Sequence, residues 1–426
     1  MNRFLISFVI MIIGAESADE EIVVIGAGIE MKRAVVIGAG NIGRGFIGKV
    51  FSESGYEVCF LDVNKEIIKE LCDRKSYTVR TVSNDEDYCT TVKNVYGVDA
   101  NSDLAIKEIA TCDIMATSVG VNVLPKIVPI LAAGIKLRIK NEGSPLNILL
   151  AENQIHVDEY MRQLIYCELH EKERKWADEH LGLVEVSIGR MIPPLTAEEK
   201  KNDPLLIAVE PYCELPADRL GFKGDIPNLK GLIPFTPFDF YIKRKLYLHN
   251  MGHAICAYLG FQKRCSYIYE AIADPHIFNV VSDAMEQSAK ALHKEFPEIP
   301  FEEIDENRID LLSRFKNKAL KDTIFRVAND PIRKLRHDDR LIGSALYCLS
   351  QGVKPRSVVI GIIYAYKYKK INDPSSLEIQ EFIKNHGFEK ALLKYSGIDI
   401  DSELGEMILS MWRATLEIFE QIKQRF

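Results

Sequence analysis

No two of the nine cysteines are spaced as Cys-x-x-Cys, so the sequence lacks the patterns typical of zinc sites and thioredoxin-like redox sites. The cysteines occur singly, at Cys59, Cys72, Cys89, Cys112, Cys167, Cys213, Cys256, Cys265 and Cys348. An odd number without framework spacing predicts reduced thiols in a cytoplasmic protein, because structural disulfides belong to oxidising compartments. We expect most of these residues to be small buried apolar side chains.

An excess of one charge and a bias toward glycine or proline are also missing. The chain has 54 Lys and Arg against 61 Asp and Glu, and this formal charge of −7 argues against a generally cationic nucleic-acid binder. With 26 Gly and 17 Pro in 426 residues, neither a collagen-like nor a Pro/Gly-rich disordered chain fits. At about 100–200 residues per domain, the length predicts two or three domains.

Long hydrophobic runs are missing too, and the longest at the N-terminus covers only residues 4–13. It resembles a secretory signal, and it is too short for a membrane span, which needs about 20 apolar residues. Residues 22–28 (IVVIGAG) nearly repeat residues 34–40 (AVVIGAG), but the first copy is not followed by a third glycine. We interpret residues 1–30 as an atypical N-terminal extension and Met31 as the functional start, with a genuine signal as the alternative.

A glycine-rich motif follows Met31. A short β-branched run at 34–37 leads directly into Gly-Ala-Gly-Asn-Ile-Gly and then into a stretch with helical character. In a dinucleotide-binding fold, Gly38 permits the tight turn, Gly40 lets the backbone approach a pyrophosphate and Gly43 allows close packing of helix on strand. The free N–H groups of the helix N-terminus then face the phosphates.

An acidic residue ends the next predicted strand, because Asp62 lies 19 residues beyond Gly43. Such a side chain bonds the ribose hydroxyls and repels a 2′-phosphate, which favours NAD over NADP. Further strands are predicted at 113–118, 147–150, 184–188 and 205–209. Loops after parallel strands reach the ligand-binding edge of the sheet. The predicted cofactor-binding residues are Gly38, Gly40, Asn41, Ile42, Gly43, Asp62, Val119, Gly120 and Asn122.

Beyond Pro237 the alternation of strands and helices stops. Long stretches with helical period follow, as at 277–293, 305–321 and 403–423. The sequence therefore predicts an α/β Rossmann-type N-terminal domain over 31–237 and an all-α C-terminal domain over 238–426. The cleft between two such domains is the expected substrate site.

The segment 243–254 (KRKLYLHNMGHA) contains the candidate catalytic or metal-binding side chains. If it is helical, Lys245, His249, Asn250 and His253 share one broad face. Two histidines at i and i+4 would suit a metal, but Asn250 stands where a His-Glu-x-x-His motif has its glutamate, so no metal is predicted. Two interpretations remain, a solvated basic helix end or a catalytic group. In the second, a lysine of lowered pKa is the general base, an asparagine donates to a developing oxyanion and a histidine positions a hydroxyl.

The pattern K-x(4)-N-x(2)-H, formed by Lys245, Asn250 and His253, resembles the catalytic motif of the polyol-specific long-chain dehydrogenases. The resemblance covers nearly all of residues 31–400. Its other motifs are GAGNIGRGFIGK (38–49), FKGDIPNLKG (222–231), RKLYLHNMGHAICAYLG (244–260) and DPIRKLRHDDRLIG (330–343).

The resemblance implies a metal-free, NAD-dependent oxidoreductase. In this family a lysine takes the proton from the substrate hydroxyl while hydride passes to the nicotinamide, so Lys245 is the implied base. Asn250 is then the implied oxyanion donor, and His253 is implied to orient the substrate. A second asparagine assists the oxyanion in some members, and its expected counterpart is Asn153.

Two positions depart from the family pattern. Many relatives have an aspartate before the arginine of the segment matching 188–194, whereas this chain has Gly189. A proton relay through that carboxylate is therefore in doubt, with Glu152 or water as substitutes. His249 stands where the nearest relatives commonly have an apolar residue. We expect it to pack at the edge of the cleft, with a second titrating group as the alternative.

A basic cluster bears on the choice of substrate. Four cations lie within ten residues that contain only two acids, Asp338 and Asp339; the cations are Arg333, Lys334, Arg336 and Arg340. Arginine forks suit a phosphate or a uronate carboxylate, whereas a free polyol needs neither. A solvated basic turn is the alternative.

The resemblance is closest to the members that act on mannitol 1-phosphate. It implies NAD-dependent interconversion of D-mannitol 1-phosphate and D-fructose 6-phosphate by a monomer or small homo-oligomer, with no nucleic-acid or membrane partner. The alternatives are reduction of the hexuronates fructuronate or tagaturonate, and oxidation of free mannitol at C2. From a different class, the chain could be a non-catalytic NAD-binding sensor or partner-binding subunit.

Overall fold

A computed structural model describes residues 31–425, and the proposed N-terminal extension therefore lies outside the described residues. From Lys32 onward the chain forms one compact unit. Its strands are β1 Arg33–Ile37, β2 Glu57–Asp62, β3 Ser76–Val82, β4 Asp87–Lys93, β5 Val95–Asp99, β6 Ile114–Thr117, β7 Leu146–Leu150, β8 Leu181–Glu185, β9 Ile207–Val209, β10 Leu215–Asp218 and β11 Leu232–Phe235.

Seven α-helices lie among these strands, and the helices after β11 follow one another without a further strand in the described residues. The first group is α1 Lys49–Glu53, α2 Lys65–Arg74, α3 Asp103–Thr111, α4 Leu124–Lys140, α5 Val157–Glu168, α6 Glu171–His180 and α7 Ala197–Asn202. The second group is α8 Asp239–Lys243, α9 Met251–Gln262, α10 Ile268–Ala273, α11 Pro275–Glu295, α12 Phe301–Phe315, α13 Ile324–Ala328, α14 Pro331–Lys334, α15 Ile342–Ser350, α16 Arg356–Tyr366, α17 Pro374–His386, α18 Phe388–Ser396 and α19 Glu403–Arg425.

Six parallel strands form the central sheet, in the order β5-β2-β1-β6-β7-β8. Apolar side chains cover both of its faces, which explains why β6, β7 and β8 are buried along their whole length. Val36 and Phe60 belong to the core on one face, and Val35 and Cys59 to the core on the other. The reversal of strand order beside β1 is that of a Rossmann fold, so the predicted fold class of the first domain is confirmed.

Two smaller sheets flank this arrangement. The hairpin of β3 and β4 is antiparallel, and β9 adds to β3 in parallel. Strands β10 and β11 form a parallel pair. We call residues 32–235 the strand-rich part and residues 239–425 the helical part.

The helical part is built around α9, whose residues 254–259 are all buried. Gly361 on α16 lets the two helices approach closely, because a Cβ at this position would lie 2.4 Å from Ile255. A single hydrophobic core links α9 with most of the later helices. The all-α prediction for the second domain is therefore confirmed. Within the described residues, no helix is long and apolar enough to cross a membrane.

Several predicted boundaries are wrong. The helix predicted at 305–321 is α12 and ends at Phe315, because Asn317 caps a short 3-10 turn at Lys318–Leu320. The strand predicted at 184–188 is β8, which begins and ends three residues earlier.

Residues Gly43–Gly48 and Arg244–Asn250 form π-helical turns rather than α-helix. Such turns are rare in proteins, and many of those that are known lie at functional sites.

Candidate active site

A cavity of about 290 Å³ lies where the two parts of the chain meet. The segment 188–194 supplies its wall from the strand-rich part. The helical part supplies the other lining residues, which are Lys245, His249, Asn250, His253, Leu320, Asp322, Arg326, Val327, Arg333, Lys334 and Arg340. The cavity therefore unites the Lys-Asn-His pattern with three of the four residues in the predicted basic cluster.

Lys245 projects from the π-helical turn that precedes α9. Its side chain is open to the cavity, yet the surrounding protein removes most of its hydration. This burial, together with the positive charge of Arg340, lowers the pKa of Lys245 to about 8. An amine with this pKa accepts and releases a proton near neutral pH, which a general acid or base must do.

The two histidines of the segment have different surroundings. His249 is buried, and the pKa of its imidazole is far below the usual range because of burial and the nearby cation of Arg314. His253 stacks on Phe315 with ring centroids 4.9 Å apart, and its Nε2 atom lies 2.9 Å from Oδ2 of Asp322. The burial of His249 favours the packing interpretation over a second titrating group. Neither Asp322 nor Phe315 was identified from the sequence.

Only part of the basic cluster lines the cavity. Arg333, Lys334 and Arg340 line the cavity, whereas Arg336 is 60% exposed and pairs with Asp338 outside it. The buried ammonium group of Lys334 donates to the carbonyl oxygen of Asn329. Burial and the neighbouring cations Arg333 and Arg340 lower the pKa of Lys334 to about 7.

Carboxylates hold Arg333 and Arg340 in place. The guanidinium group of Arg340 donates to Asp339 at 2.8 Å. Arg333 lies 3.3 Å from Asp330 and 3.6 Å from Asp339. Asp330 also caps α14 by accepting from the backbone N–H of Arg333. The short helix therefore presents its cations from a fixed backbone.

A buried ion pair joins the cavity wall to the helical part. Both oxygens of Glu210 accept from the guanidinium of Arg314, and Oε1 also accepts from the backbone N–H of Met191 at 2.5 Å. Arg314 donates further to the carbonyl oxygen of Gly189 at 2.5 Å. The sequence did not indicate this pair, because its members are 104 residues apart and neither belongs to a motif.

The glycine motif has the geometry of a nucleotide-binding turn. Gly38 has φ of 103°, and a Cβ on Gly43 would lie 1.9 Å from the carbonyl oxygen of Gly38. A Cβ on Gly40 would meet no atom within 4 Å, so space for a ligand remains beside the backbone there. Oδ2 of Asp62 accepts from the backbone N–H of Ala39 at 2.7 Å, at the end of β2. These residues fit a bound dinucleotide.

The loop after β6 is held by Glu152. This buried carboxylate accepts from the backbone N–H groups of Val119 at 3.0 Å and Gly120 at 2.8 Å. Burial raises the pKa of Glu152, and these two hydrogen bonds oppose the shift. Glu152 is thus engaged with the loop and is not among the residues that line the cavity at Lys245.

Three predicted residues at this edge of the sheet are exposed. Asn41 begins the helical turn of the glycine motif, Asn122 lies in a short 3-10 turn, and Asn153 follows β7. Ile42 is half-buried beside Asn41. Asn153 is not among the residues that line the cavity with Asn250.

Two family models match the chain. The mannitol dehydrogenase Rossmann domain matches residues 32–231, and the mannitol dehydrogenase C-terminal domain matches residues 238–410. The chain belongs to the mannitol dehydrogenase family. This confirms the resemblance found in the sequence, and it makes the chain a polyol dehydrogenase with an NAD-binding Rossmann fold. The exact domain boundary at 237/238 stays a prediction.

Two solved structures of polyol dehydrogenases share the fold. Mannitol 2-dehydrogenase from Pseudomonas fluorescens, in a ternary complex with NAD and D-mannitol, is 14% identical over 90% of this chain and 92% of its own, with a TM-score of 0.70. A D-sorbitol dehydrogenase in substrate-free form is 14% identical over 90% of this chain and 93% of its own, with a TM-score of 0.75. Within the residues that the structure describes here, no group of three His, Cys, Asp or Glu could hold a metal ion.

Proposed function

We propose that this polyol dehydrogenase interconverts D-mannitol 1-phosphate and D-fructose 6-phosphate with NAD. One observation carries the proposal: Lys245, with its lowered pKa, shares a cavity with Asn250 and His253 and with the cations Arg333 and Arg340. The first three residues suit alcohol oxidation, and the cations suit an anionic group on the same substrate.

Lys245 is the proposed base. In the oxidation direction its neutral amine takes the proton of the substrate hydroxyl, and in reduction its ammonium returns that proton. The side-chain amide of Asn250 can donate to the oxygen as negative charge develops on it. His253 can position the same hydroxyl. Bound NAD supplies the two-electron acceptor for the carbinol carbon.

The cofactor proposal rests on the residues of the glycine motif and on Asp62. The open space beside Gly40 suits the pyrophosphate, and the helical turn that begins at Asn41 directs free N–H groups toward it. The carboxylate of Asp62 at the end of β2 can bond the ribose and would repel a 2′-phosphate. This favours NAD over NADP.

The anion proposal rests on three basic side chains. Arg333, Lys334 and Arg340 line one side of the cavity that holds Lys245. A phosphate accepts several hydrogen bonds from such groups, and arginine recognises it with two parallel bonds. A hexuronate carboxylate is the second candidate, because it fits the same cations. A free polyol has no anionic group for them to bind.

One panel tests the proposal. Fructose 6-phosphate, fructose, fructuronate and tagaturonate are assayed with NADH and NADPH on the wild type and on Lys245→Ala, Arg333→Ala and Arg336→Ala. We expect fructose 6-phosphate with NADH to give the highest kcat/KM and Lys245→Ala to lose activity while still binding NADH. Arg333→Ala should raise the KM for the sugar phosphate by at least about tenfold and hardly change that for fructose.

Arg336→Ala is the matched control, because it removes an arginine three residues away that lies outside the cavity. We expect its kinetic constants to equal those of the wild type. Equal effects of Arg333→Ala on both substrates would refute the phosphate site. Preference for a uronate would establish the second candidate. Tight NADH binding without any turnover would favour the sensor interpretation.

A further inference from the structure

Asp322 faces His253 from the loop between the 3-10 turn at Lys318–Leu320 and α13. The atoms Nε2 of His253 and Oδ2 of Asp322 are 2.9 Å apart. Both atoms are buried, and within the described part of the chain neither makes a well-directed hydrogen bond, to the other or to any third group. Because a buried polar atom without a partner is costly, their 2.9 Å separation makes each atom the candidate partner of the other.

Asp322 is held both at its side chain and at its backbone. Its Oδ1 atom accepts from Nε of Arg326 at 2.8 Å and lies 2.7 Å from Nη2. Its backbone carbonyl oxygen accepts from the N–H of Ile268 at 2.9 Å. Burial opposes ionisation, but His253 and Arg326 together hold the pKa of Asp322 below its usual range. Asp322 is therefore an acceptor only, and Oδ2 is the oxygen left for His253.

The ring of His253 is also restrained. Phe315 stacks on it at an interplanar angle of 15°, and the ring of His249 lies 6.1 Å away between centroids. Turning the imidazole over would remove Nε2 from Asp322 and leave a buried carboxylate oxygen without a donor. The packing and the carboxylate therefore favour the same ring orientation.

We propose that Asp322 is the positioning residue that holds His253 as the tautomer with a proton on Nε2. A neutral imidazole has one donor and one acceptor nitrogen. With Nε2–H donated to Asp322, Nδ1 keeps its lone pair and can accept from the substrate hydroxyl whose proton Lys245 removes. This inference rests on the proposed function, because it assigns His253 to that hydroxyl.

Asp322→Asn tests the proposal by inverting the tautomer. Arg326 can only donate and therefore favours the amide oxygen, so the amide NH₂ group turns toward Nε2 of His253. That nitrogen must then carry a lone pair, and the proton moves to Nδ1. We expect kcat for polyol oxidation to fall by about 10²-fold, in the range of a lost acid–base contact, with NADH affinity within about twofold.

Two comparisons separate positioning from a general structural effect. In a His253→Ala background, Asp322→Asn should cause no further loss, because its target is gone. Asp274→Asn is the control, because Asp274 pairs with Lys263 at 3.0 Å and caps α11 outside the cavity. We expect this control to retain normal activity. An equal loss from Asp322→Asn with and without His253 would overturn the proposal.

The tautomer can also be observed directly in the full wild-type chain. Nitrogen-15 spectra of the histidine-labelled protein, with His253 assigned from the His253→Ala variant, should show Nε2 protonated and Nδ1 unprotonated. The opposite pattern would overturn the proposal even if Asp322→Asn failed to fold. If the wild type turned over no polyol or ketose, the proposed function would fail, while this spectrum would still decide the role of Asp322.

Discussion

The pKa of Lys245 depends on two features of its surroundings. These are the protein packed around its side chain and the guanidinium of Arg340. Both disfavour the ammonium form, and together they lower its pKa to about 8. The lysine is thus partly neutral at physiological pH, whereas an ordinary lysine is almost fully charged. The cation that is proposed to bind the anionic substrate also tunes the base.

This coupling predicts a pH dependence. For oxidation the amine must be neutral, so kcat/KM should rise with pH up to about 8 and then level off. For reduction the ammonium is required, so the rate should fall above about pH 8. In Arg340→Met the positive neighbour is gone, the pKa of Lys245 should rise, and both midpoints should move to higher pH. The measurement is the pH profile in each direction.

Arg336→Met is the control for that shift, because its guanidinium is exposed and does not contribute to the pKa of Lys245. Its profiles should coincide with those of the wild type. An unchanged midpoint in Arg340→Met would contradict the electrostatic explanation.

At the scale of an element, the turn between β1 and its helix shows two different uses of glycine. At Gly43 the fold itself leaves no room, since a Cβ would lie 1.9 Å from a backbone oxygen. At Gly40 the fold leaves open space, since a Cβ would meet no atom within 4 Å. The same motif therefore contains one position required by packing and one that we propose is required for cofactor binding.

Two alanine variants separate these uses. Gly40→Ala should keep the wild-type Tm but weaken NADH binding by at least about tenfold, because the new methyl group occupies the space proposed for the pyrophosphate. Gly43→Ala should lower the Tm by several degrees, because the helix must move away from β1. Thermal unfolding and NADH titration measure the two effects. Normal NADH affinity in Gly40→Ala would argue against this path of the cofactor.

At the scale of the whole molecule, the two parts are joined by polar contacts beside the cavity. The hairpin of β3 and β4 contributes Asn84, whose side chain bonds the backbone of Lys316 and Lys318. Glu210 and Arg314 form the buried pair, in which Glu210 is 1% exposed. These contacts fix the wall at 189–191 relative to α12.

Glu210→Gln should therefore destabilise the whole unit. Removing one charge from a buried pair leaves the other without a counterion, which typically costs about 3–5 kcal/mol. Urea unfolding at neutral pH measures this loss. Asp73→Asn is the control, because the pair of Asp73 with Lys69 is exposed and its loss should hardly change the stability. Similar losses in both variants would contradict a special role for the buried pair.

Local patterns predicted much of this molecule. The glycine spacing, the acid at Asp62 and the change to helical periodicity after Pro237 indicated both domains, because each pattern follows from geometry within a few residues. The hairpin of β3 and β4 was not predicted, since β4 is mostly exposed and has no buried alternating face. The end of α12 was misplaced, because the contacts of Asn84 and Asn317 that shape it come from distant strands.

For the site, the sequence by itself determined the candidate residues: a lysine, an asparagine and a histidine at fixed spacing, with basic residues about ninety positions later. Only the tertiary structure decided which cations reach the cavity, leaving Arg336 outside. It also decided that Asp322 faces His253 and that the charge of Arg340 acts on Lys245. Burial, ion pairing and pKa depend on distances between residues far apart in the chain, and those distances exist only after folding.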